Sequence, residues 1–496
     1  MPKTVSTSNQ SGSSLGQVVL KNTVVVTLGS IALKALNFLF GVYVVRRLGD
    51  DRFGQYSIVL AFVGLFQIFA ELGTSQYVMR EIARDRSKAL SLFWNLVAVR
   101  LLLAIIGVVG ITFGALVAGY APEIILGIFI YTCSFVLSAF EAPLQIVMVA
   151  NERLDYVTVV TVVGQVVFAL FGAVFLFSGL GYLWLIVAGL ISIVPQIGLE
   201  VWAIKHHHMT SFSFQIDHRF WPKMIRAGLP FGIISLALTI AFSIDTVMLS
   251  MYASENVVGW YNVAYGLARS LLFFFSGFST AIVPSLSRTY VHDSAEVERW
   301  YYRSVKFILL TSVPIAVGGM IVAFPLIQFL YTAEYLPSAL GLQILIWDVP
   351  LLMFTSFCGN ITTIVGEERA AARIYSINAV ANIILNFYAI PRYGLVGASL
   401  VTVITDLIGA LQFHFLLGHK LKLPNMTSIV VRVVIAAVIM GGVVEVISGL
   451  NLFLLIGLGV VVYGALVLGL RVIDQDEWAL IFRLLRRFTP SAAKEA

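Results

Sequence analysis

Two basic residues lie near the middle of long apolar stretches of this sequence, Lys34 in the stretch 23–45 and Arg269 in the stretch 256–284. A charged side chain at the centre of a bilayer costs about 3 kcal/mol on insertion scales, so both should face protein or water instead of lipid. A lysine ammonium binds phosphate as a point charge, and an arginine guanidinium binds it through two parallel hydrogen bonds. The pair therefore predicts a wet cavity that binds an anionic group at mid-depth.

Polar residues accompany both cations at the three- to four-residue spacing of one helical face. The same spacing occurs in two further apolar stretches, 54–79 and 227–251. The predicted polar lining of the cavity is Asn37, Gln67, Glu71, Thr239, Asn262 and Tyr265. No comparable polar face is evident in the stretches 155–178, 180–204 and 451–472. Two alternatives stay open, because small polar residues also mark close helix packing and an ion pair of Lys34 with Glu71 would account for the lysine.

A dense charge cluster lies between the first two apolar stretches, where five charges fall within residues 46–52. Its arginines are Arg46, Arg47 and Arg52. These arginines would attract or release an anionic group at the outer mouth of the cavity. Alternatively, they extend to the membrane interface, where Asp50 and Asp51 neutralise them.

Arg100, in the apolar stretch 90–119, has two interpretations. It serves the same cavity, or it pairs with Glu141 of the stretch 122–149. The two cysteines, Cys133 and Cys358, lie inside apolar stretches, which argues against a disulfide framework or a metal cluster. We therefore expect no metal site and no bound cofactor.

The composition identifies a polytopic membrane protein. Of the 496 residues, 59% are hydrophobic and 12% are charged, and the charged share is about half of that in globular proteins. Successive apolar stretches are each long enough to cross a hydrocarbon core of roughly 30 Å. We predict an all-α fold with about fourteen transmembrane helices, and lysine and arginine in alternate loops place both termini in the cytoplasm. The loops are too short for a catalytic domain, so we expect no enzyme activity.

Two pairs of segments repeat within the sequence. Residues 50–56 align with 255–261, about 205 positions later, and residues 151–165 parallel 366–380. The repeat predicts two pseudo-symmetric six-helix bundles with a binding site between them, followed by two extra helices. The predicted segments are a disordered cytoplasmic tail (1–22), an N-terminal lobe (23–204), a cytoplasmic linker (205–226), a C-terminal lobe (227–418), an extra helix pair (419–472) and a cytoplasmic amphipathic tail (473–496).

Three motifs carry a resemblance to a known family. They are R-x-L-G-x-x-x-F-G-x-Y at 46–56, REIAR at 80–84 and NAVANIILNFYAIPRYGLVGASLVTVITD at 378–406. Together with the span number and the repeat, they resemble the polysaccharide flippases of the MATE-like multidrug/oligosaccharidyl-lipid/polysaccharide superfamily. The last motif usually closes with glutamate, whereas this chain has Asp406.

The resemblance implies a multi-pass transporter of the cell membrane. It would flip a polyprenyl-diphosphate-linked oligosaccharide from the cytoplasmic to the outer leaflet by alternating access, for surface polysaccharide synthesis. A lipid II flippase is one alternative. A drug antiporter is another, although Lys34 and Arg269 argue against a cavity for cationic drugs. The expected partners are the lipid-linked substrate, the bilayer and the polymerase or glycosyltransferase machinery, and we expect a monomer that binds no nucleic acid.

Acidic residues in or at the ends of the spans are candidates for ion coupling. They are Asp245, Asp348 and Asp406. One or more of them could bind H⁺ or Na⁺ and couple transport to an ion gradient. Asp245 lies about 100° off the polar face of its helix.

Overall fold

The computed structural model describes residues 29, 32–85, 89–207, 209, 215–272, 275, 286, 294–421, 423 and 425–473. No strand occurs among these residues, which confirms the predicted all-α class. The helices are α1 (32–48), α2 (Asp50–Glu71), α3 (Thr74–Arg84), α4 (Ala89–Val117), α5 (Pro122–Ala150), α6 (Leu154–Phe177), α7 (Tyr182–His206), α8 (Trp221–Tyr252), α9 (Glu255–Ser270), α10 (Ser294–Ile321), α11 (Ala323–Leu330), α12 (Ser338–Leu345), α13 (Asp348–Ile364), α14 (Glu368–Gly418), α15 (Thr427–Val446) and α16 (Leu452–Gly469). Short 3-10 turns lie at His218–Phe220 and Ala333–Tyr335.

The helices confirm a multi-pass membrane protein. Among the described residues, nine helices are long and apolar enough to cross a membrane, and the pair α12–α13, bent by 41°, brings the number to ten if it is one span. The predicted number of fourteen spans stays a prediction. The predicted tail 1–22 and all but the first residue of the predicted tail 473–496 lie outside the described residues.

The 51-residue helix α14 contains two predicted spans. At 1.5 Å per residue it would be about 77 Å long, more than twice a hydrocarbon core. Gly394 interrupts it with φ 50° and ψ −127°, a conformation that a residue with a Cβ rarely adopts. This break separates the predicted spans 371–390 and 394–418.

The chain divides into two units. The first contains Met1–Asn262 and Ile383–Leu395, and the second contains Val263–Asn382 and Val396–Ala496. Helices α9 and α14 therefore each contribute residues to both units. The lobe boundaries expected from the sequence stay a prediction.

In the first unit, α5 packs against α2, α3, α4 and α7, and α2 also packs against α8. Apolar side chains of four helices form one of its cores, including Val97, Val147, Val160 and Ala203. The hydroxyls of Tyr120, just after α4, and Ser250 of α8 lie 2.8 Å apart. Burial raises the pKa of the Tyr120 phenol, although its hydrogen bond to Ser250 opposes this, so the phenol stays protonated at neutral pH.

In the second unit, the terminal pair α15 and α16 packs against α10. The Tyr463 hydroxyl donates to the Leu310 carbonyl at 3.0 Å and joins α16 to α10. Large apolar side chains on the other faces of the pair are exposed, with Val446 at 87% and Val460 at 68%. Apolar exposure on this scale is expected where a helix contacts lipid.

Candidate functional site

Lys34 and Asn37 lie three residues apart on α1, and both side chains are exposed. The side of α1 that packs against protein carries Phe40 and Val44 instead. The Phe40 ring meets Phe168 of α6 edge-on, with the ring centres 5.3 Å apart. Because a lysine or an amide faces hydrocarbon only at a high cost, the exposed side of α1 requires water or polar headgroups around it.

Helix α2 places Gln67 at an exposed position and Glu71 beside a cation of α4. Arg100 Nη1 lies 3.7 Å from Glu71 Oε1 and donates to Ser75 Oγ at 2.6 Å. Glu141 of α5 is also close enough to attract the Arg100 guanidinium. The two interpretations of Arg100 are therefore compatible, because it interacts with Glu141 and also with a predicted cavity residue, Glu71.

The arginines of the charge cluster, Arg46, Arg47 and Arg52, are exposed. The guanidinium carbon of Arg47 lies 5.7 Å from the ring centres of Tyr43 and Phe177, a cation–π distance. A Cβ at Gly181 would lie 2.9 Å from Arg52 Nη1, so this arginine covers the turn between α6 and α7. Rings therefore hold the Arg47 charge, and Arg52 packs over a turn, at one end of the first unit.

The repeat 50–56 and 255–261 forms a reciprocal contact. A Cβ at Gly54 would lie 1.8 Å from the Glu255 carbonyl oxygen, and one at Gly259 would lie 2.5 Å from the Asp50 carbonyl oxygen. In the alignment Gly54 corresponds to Gly259, and Asp50 corresponds to Glu255, so the contact has the form of a two-fold interface. The Asp50 carboxylate also accepts from Trp260 Nε1 at 3.1 Å. The backbones of α2 and α9 therefore meet directly at the end predicted to face outwards.

A second glycine contact lies at the opposite end of α2. Leu72 and Gly73 have φ 49° and 68°, which ends α2 and redirects the chain into α3. A Cβ at Gly73 would lie 2.3 Å from the Gly228 carbonyl oxygen, at the start of α8. Helix α2 is thus held at both ends by contacts that admit no side chain.

Asp245 of α8 is buried and accepts hydrogen bonds from side chains of two other helices. Tyr261 Oη donates to Oδ2 at 2.9 Å, and Asn386 Nδ2 donates to Oδ1 at 2.6 Å. Two donors stabilise a buried carboxylate. At the next residue of each helix, Asn262 accepts from the Thr246 hydroxyl at 3.2 Å, while Thr239 is partly exposed.

In the second unit, two carboxyl groups and one guanidinium form a cluster. The side chains of Asp348 and Asp406 share a hydrogen bond, and Arg269 is close enough to attract Asp406. The Arg269 guanidinium carbon lies 4.4 Å from the ring centre of Tyr265. The structure therefore places a predicted phosphate-binding residue beside two predicted ion-coupling residues, and the carboxyl groups would compete with an anionic ligand for Arg269.

The first unit has a partly open cavity of about 280 Å³ between α2, α5, α6 and α7. Its polar lining is Tyr56, Tyr131, Thr161, Gln165, Ser192 and Gln196. The expectation that the stretches 155–178 and 180–204 have no polar face is wrong. Isolated polar residues in long apolar helices gave a weak signal, although Ser192 and Gln196 are four residues apart and share a face.

A sequence model described as "Polysaccharide biosynthesis protein" matches residues 19–290, more than half of the chain. The chain belongs to this family. A second model, MatE, matches residues 230–388 of this polysaccharide biosynthesis protein.

Several curated relatives are flippases or transporters by name. The probable low-salt glycan biosynthesis flippase Agl15 of Haloferax volcanii is 22% identical over 49% of this chain and 53% of its own length. The putative O-antigen transporter of Shigella flexneri is 22% identical over 78% of this chain and 93% of its own length. The chain matches only about a third to a half of the length of the first three relatives found.

Among solved structures, the lipid II flippase MurJ in an inward closed conformation superimposes with a TM-score of 0.75. It is 16% identical, and the match covers 89% of this chain and 98% of MurJ. This likeness shows that the polysaccharide biosynthesis protein has the same fold as MurJ.

Several polar partners in this family member were missed from the sequence. Tyr261 and Asn386 bind Asp245, and Glu200 is a fully buried carboxyl of α7. The spacing of Asn378, Asn382 and Asn386, four residues apart, was a signal that could have identified one polar face of α14.

Proposed function

We propose that this polysaccharide biosynthesis protein is a transporter that flips a polyprenyl-diphosphate-linked oligosaccharide from the cytoplasmic to the outer leaflet by alternating access. The lipid tail would stay in the bilayer while the diphosphate and its sugars cross through water. The same headgroup could not cross bare hydrocarbon at a comparable rate, because its charges would lose their hydration.

The observation that carries the proposal is the exposed polar side of α1 and α2. Lys34, Asn37 and Gln67 are exposed, although they belong to helices predicted to cross the membrane. Exposed polar side chains on a membrane-crossing helix favour water over hydrocarbon around them, and the ammonium of Lys34 gives that aqueous path a positive charge.

We assign roles to the charged groups within this proposal. Lys34 and Arg269 bind the diphosphate. Arg100 serves the same cavity beside Glu71, and the exposed arginines of the cluster 46–52 attract or release the diphosphate. Asp245, Asp348 and Asp406 remain the proposed sites for a coupling H⁺ or Na⁺. We further propose a monomer in the cell membrane with both termini in the cytoplasm, working beside the polymerase or glycosyltransferase machinery.

A flipping assay tests the proposal. Purified protein in liposomes receives a fluorescent polyprenyl-diphosphate oligosaccharide, and the variants Lys34→Gln and Lys34→Arg are compared with the wild type. A charged hydrogen bond contributes about 1.5–3 kcal/mol, so Lys34→Gln should slow flipping on the order of tenfold to a hundredfold, whereas Lys34→Arg should retain most of the rate. Lys205→Gln, in the exposed last turn of α7, is the matched control. Wild-type rates in Lys34→Gln would refute the role of this lysine.

Two other substrates are favoured by particular findings. The likeness to MurJ favours lipid II, and the MatE match favours a drug. The same liposomes discriminate between them, because lipid II can replace the oligosaccharide lipid, and a cationic dye can report drug export. The exposed ammonium of Lys34 would repel a cationic drug.

A further inference from the structure

Glu200 of α7 has no part in the function proposed above. Its side chain is completely buried, and neither carboxyl oxygen has a hydrogen-bond partner of normal geometry. A buried charge without such partners costs several kcal/mol. The site therefore favours the uncharged acid.

Among the described residues, the groups that act on Glu200 are Gln145 and Glu141, and neither is positively charged. Gln145 of α5 lies beside it, but the Gln145 amide donates to Glu141 Oε1 at 2.6 Å. Glu141 is the charged group that faces Glu200, and it is also a carboxyl. The faces that α2 and α6 turn towards this part of α7 carry Tyr56, Thr161 and Gln165, which are uncharged at neutral pH.

The charges of this cluster do not balance when every carboxyl is ionised. Arg100 offers one positive charge, and it is shared between Glu141 and Glu71. Glu200 would be a third carboxylate on the far side of Gln145. The Gln145 amide donates its hydrogen bond to Glu141, as expected if Glu141 is the ionised carboxylate and Glu200 carries a proton.

The cavity of the first unit gives this carboxyl a route to water. Ser192 and Gln196 line the cavity, and Glu200 follows Gln196 by four residues on the same face of α7. Four residues correspond to a rise of about 6 Å. One water between the cavity and the carboxyl would therefore complete a hydrogen-bonded path.

We propose that Glu200 is a proton-binding site of this transporter, loaded and unloaded through the cavity between α2, α5, α6 and α7. On unloading, the O–H bond of Glu200 breaks and the proton passes to a cavity water, which leaves a carboxylate. The Gln145 amide then turns from Glu141 towards Glu200, and Arg100 takes the larger share of the Glu141 charge. The proton state of Glu200 thereby changes how α4, α5 and α7 are joined, and this coupling to transport rests on the proposed function.

Infrared difference spectroscopy tests proton binding without any transport substrate. Purified full-length protein in lipid nanodiscs is titrated from acidic to alkaline pH, and the C=O stretch of a protonated buried carboxyl is followed in H₂O and D₂O. We expect a band that shifts in D₂O, disappears in Glu200→Gln and remains in the control Glu123→Gln, an exposed acid in the first turn of α5. A wild type without this band, or a band unchanged in Glu200→Gln, would overturn the proposal.

A second variant covers the case in which Glu200→Gln does not fold. Glu141→Gln removes the neighbouring negative charge, so the Glu200 band should persist but disappear at a less alkaline pH. A titration identical to the wild type would contradict the pairing of the two carboxyl groups. Replacing K⁺ by Na⁺ should not alter the titration, whereas loss of the band on adding Na⁺ would identify a sodium site instead.

Flipping assays then test coupling separately. If the wild type flips the lipid, a pH gradient with the acidic side outside the liposome should change the flipping rate on the order of tenfold. The Glu200→Gln variant should lose that response but still bind the lipid. A pH response that survives in Glu200→Gln would show that this proton does not drive transport. If the wild type does not flip the lipid, the infrared result still stands, and only the proposed function fails.

Discussion

The reciprocal glycine contact leads to a quantitative prediction for Gly54→Ala. The new Cβ would lie 1.8 Å from the Glu255 carbonyl oxygen, whereas real Cβ atoms essentially never come closer than 3.0 Å to another heavy atom. The backbones of α2 and α9 must therefore separate by at least about 1.2 Å at this point. Overpacking of this kind costs about 1–3 kcal/mol.

This cost applies only to the state in which α2 and α9 touch. A conformation with the two helices apart would be favoured by the same free energy, which corresponds to a change of about 5- to 150-fold in its population. Gly259→Ala should have a smaller effect in the same direction, because its Cβ would lie 2.5 Å from the Asp50 carbonyl oxygen. Both variants also gain about 1 kcal/mol of helix propensity, which does not depend on the contact.

Thiol labelling measures this population. In a background without Cys133 and Cys358, the exposed Asn37 is replaced by cysteine, and a membrane-impermeant maleimide is added on the side predicted to be outside. Labelling of Asn37→Cys should become about 5- to 150-fold faster with Gly54→Ala and less so with Gly259→Ala. Gly110→Ala in α4 is the control, because its Cβ would meet nothing within 4 Å. Unchanged labelling in a folded Gly54→Ala protein would refute the closure of this end by the glycine contact.

Two further predictions concern buried polar groups and are measured as unfolding free energies in detergent. Asn386→Leu removes the side chain that donates to Asp245 Oδ1 and should cost about 1–3 kcal/mol. Tyr388→Phe, at an exposed position of the same helix, should cost almost nothing, and equal effects would argue against the Asp245 bond. Arg100→Met leaves Glu71 and Glu141 without their shared cation and should lower the unfolding free energy by about 3 kcal/mol. The double variant Arg100→Met/Glu141→Gln should regain part of this lost stability. No recovery would show that Arg100 acts through packing alone.

The packing around Glu200 and Asp245 illustrates why sequence patterns found only part of the candidate site. A polar stripe is visible when its residues recur along one helix, as for Lys34 and Asn37. Asp245 is bound by Tyr261 from α9 and by Asn386 from α14, so its environment depends on three helices, one of them more than 100 residues away in sequence. No periodicity within α8 contains that information.

The sequence by itself determined the membrane class, the all-α fold, the family resemblance and the repeat that joins residues 50–56 to 255–261. These properties follow from composition and local spacing, because a bilayer admits apolar helices and penalises isolated charges wherever they occur. Only the tertiary structure decided that Gly54 and Gly259 touch the opposite repeat, that Arg269 lies beside Asp406, and that Glu200 is buried next to Gln145. Charge balance and close packing depend on distances between helices, which a linear pattern does not specify.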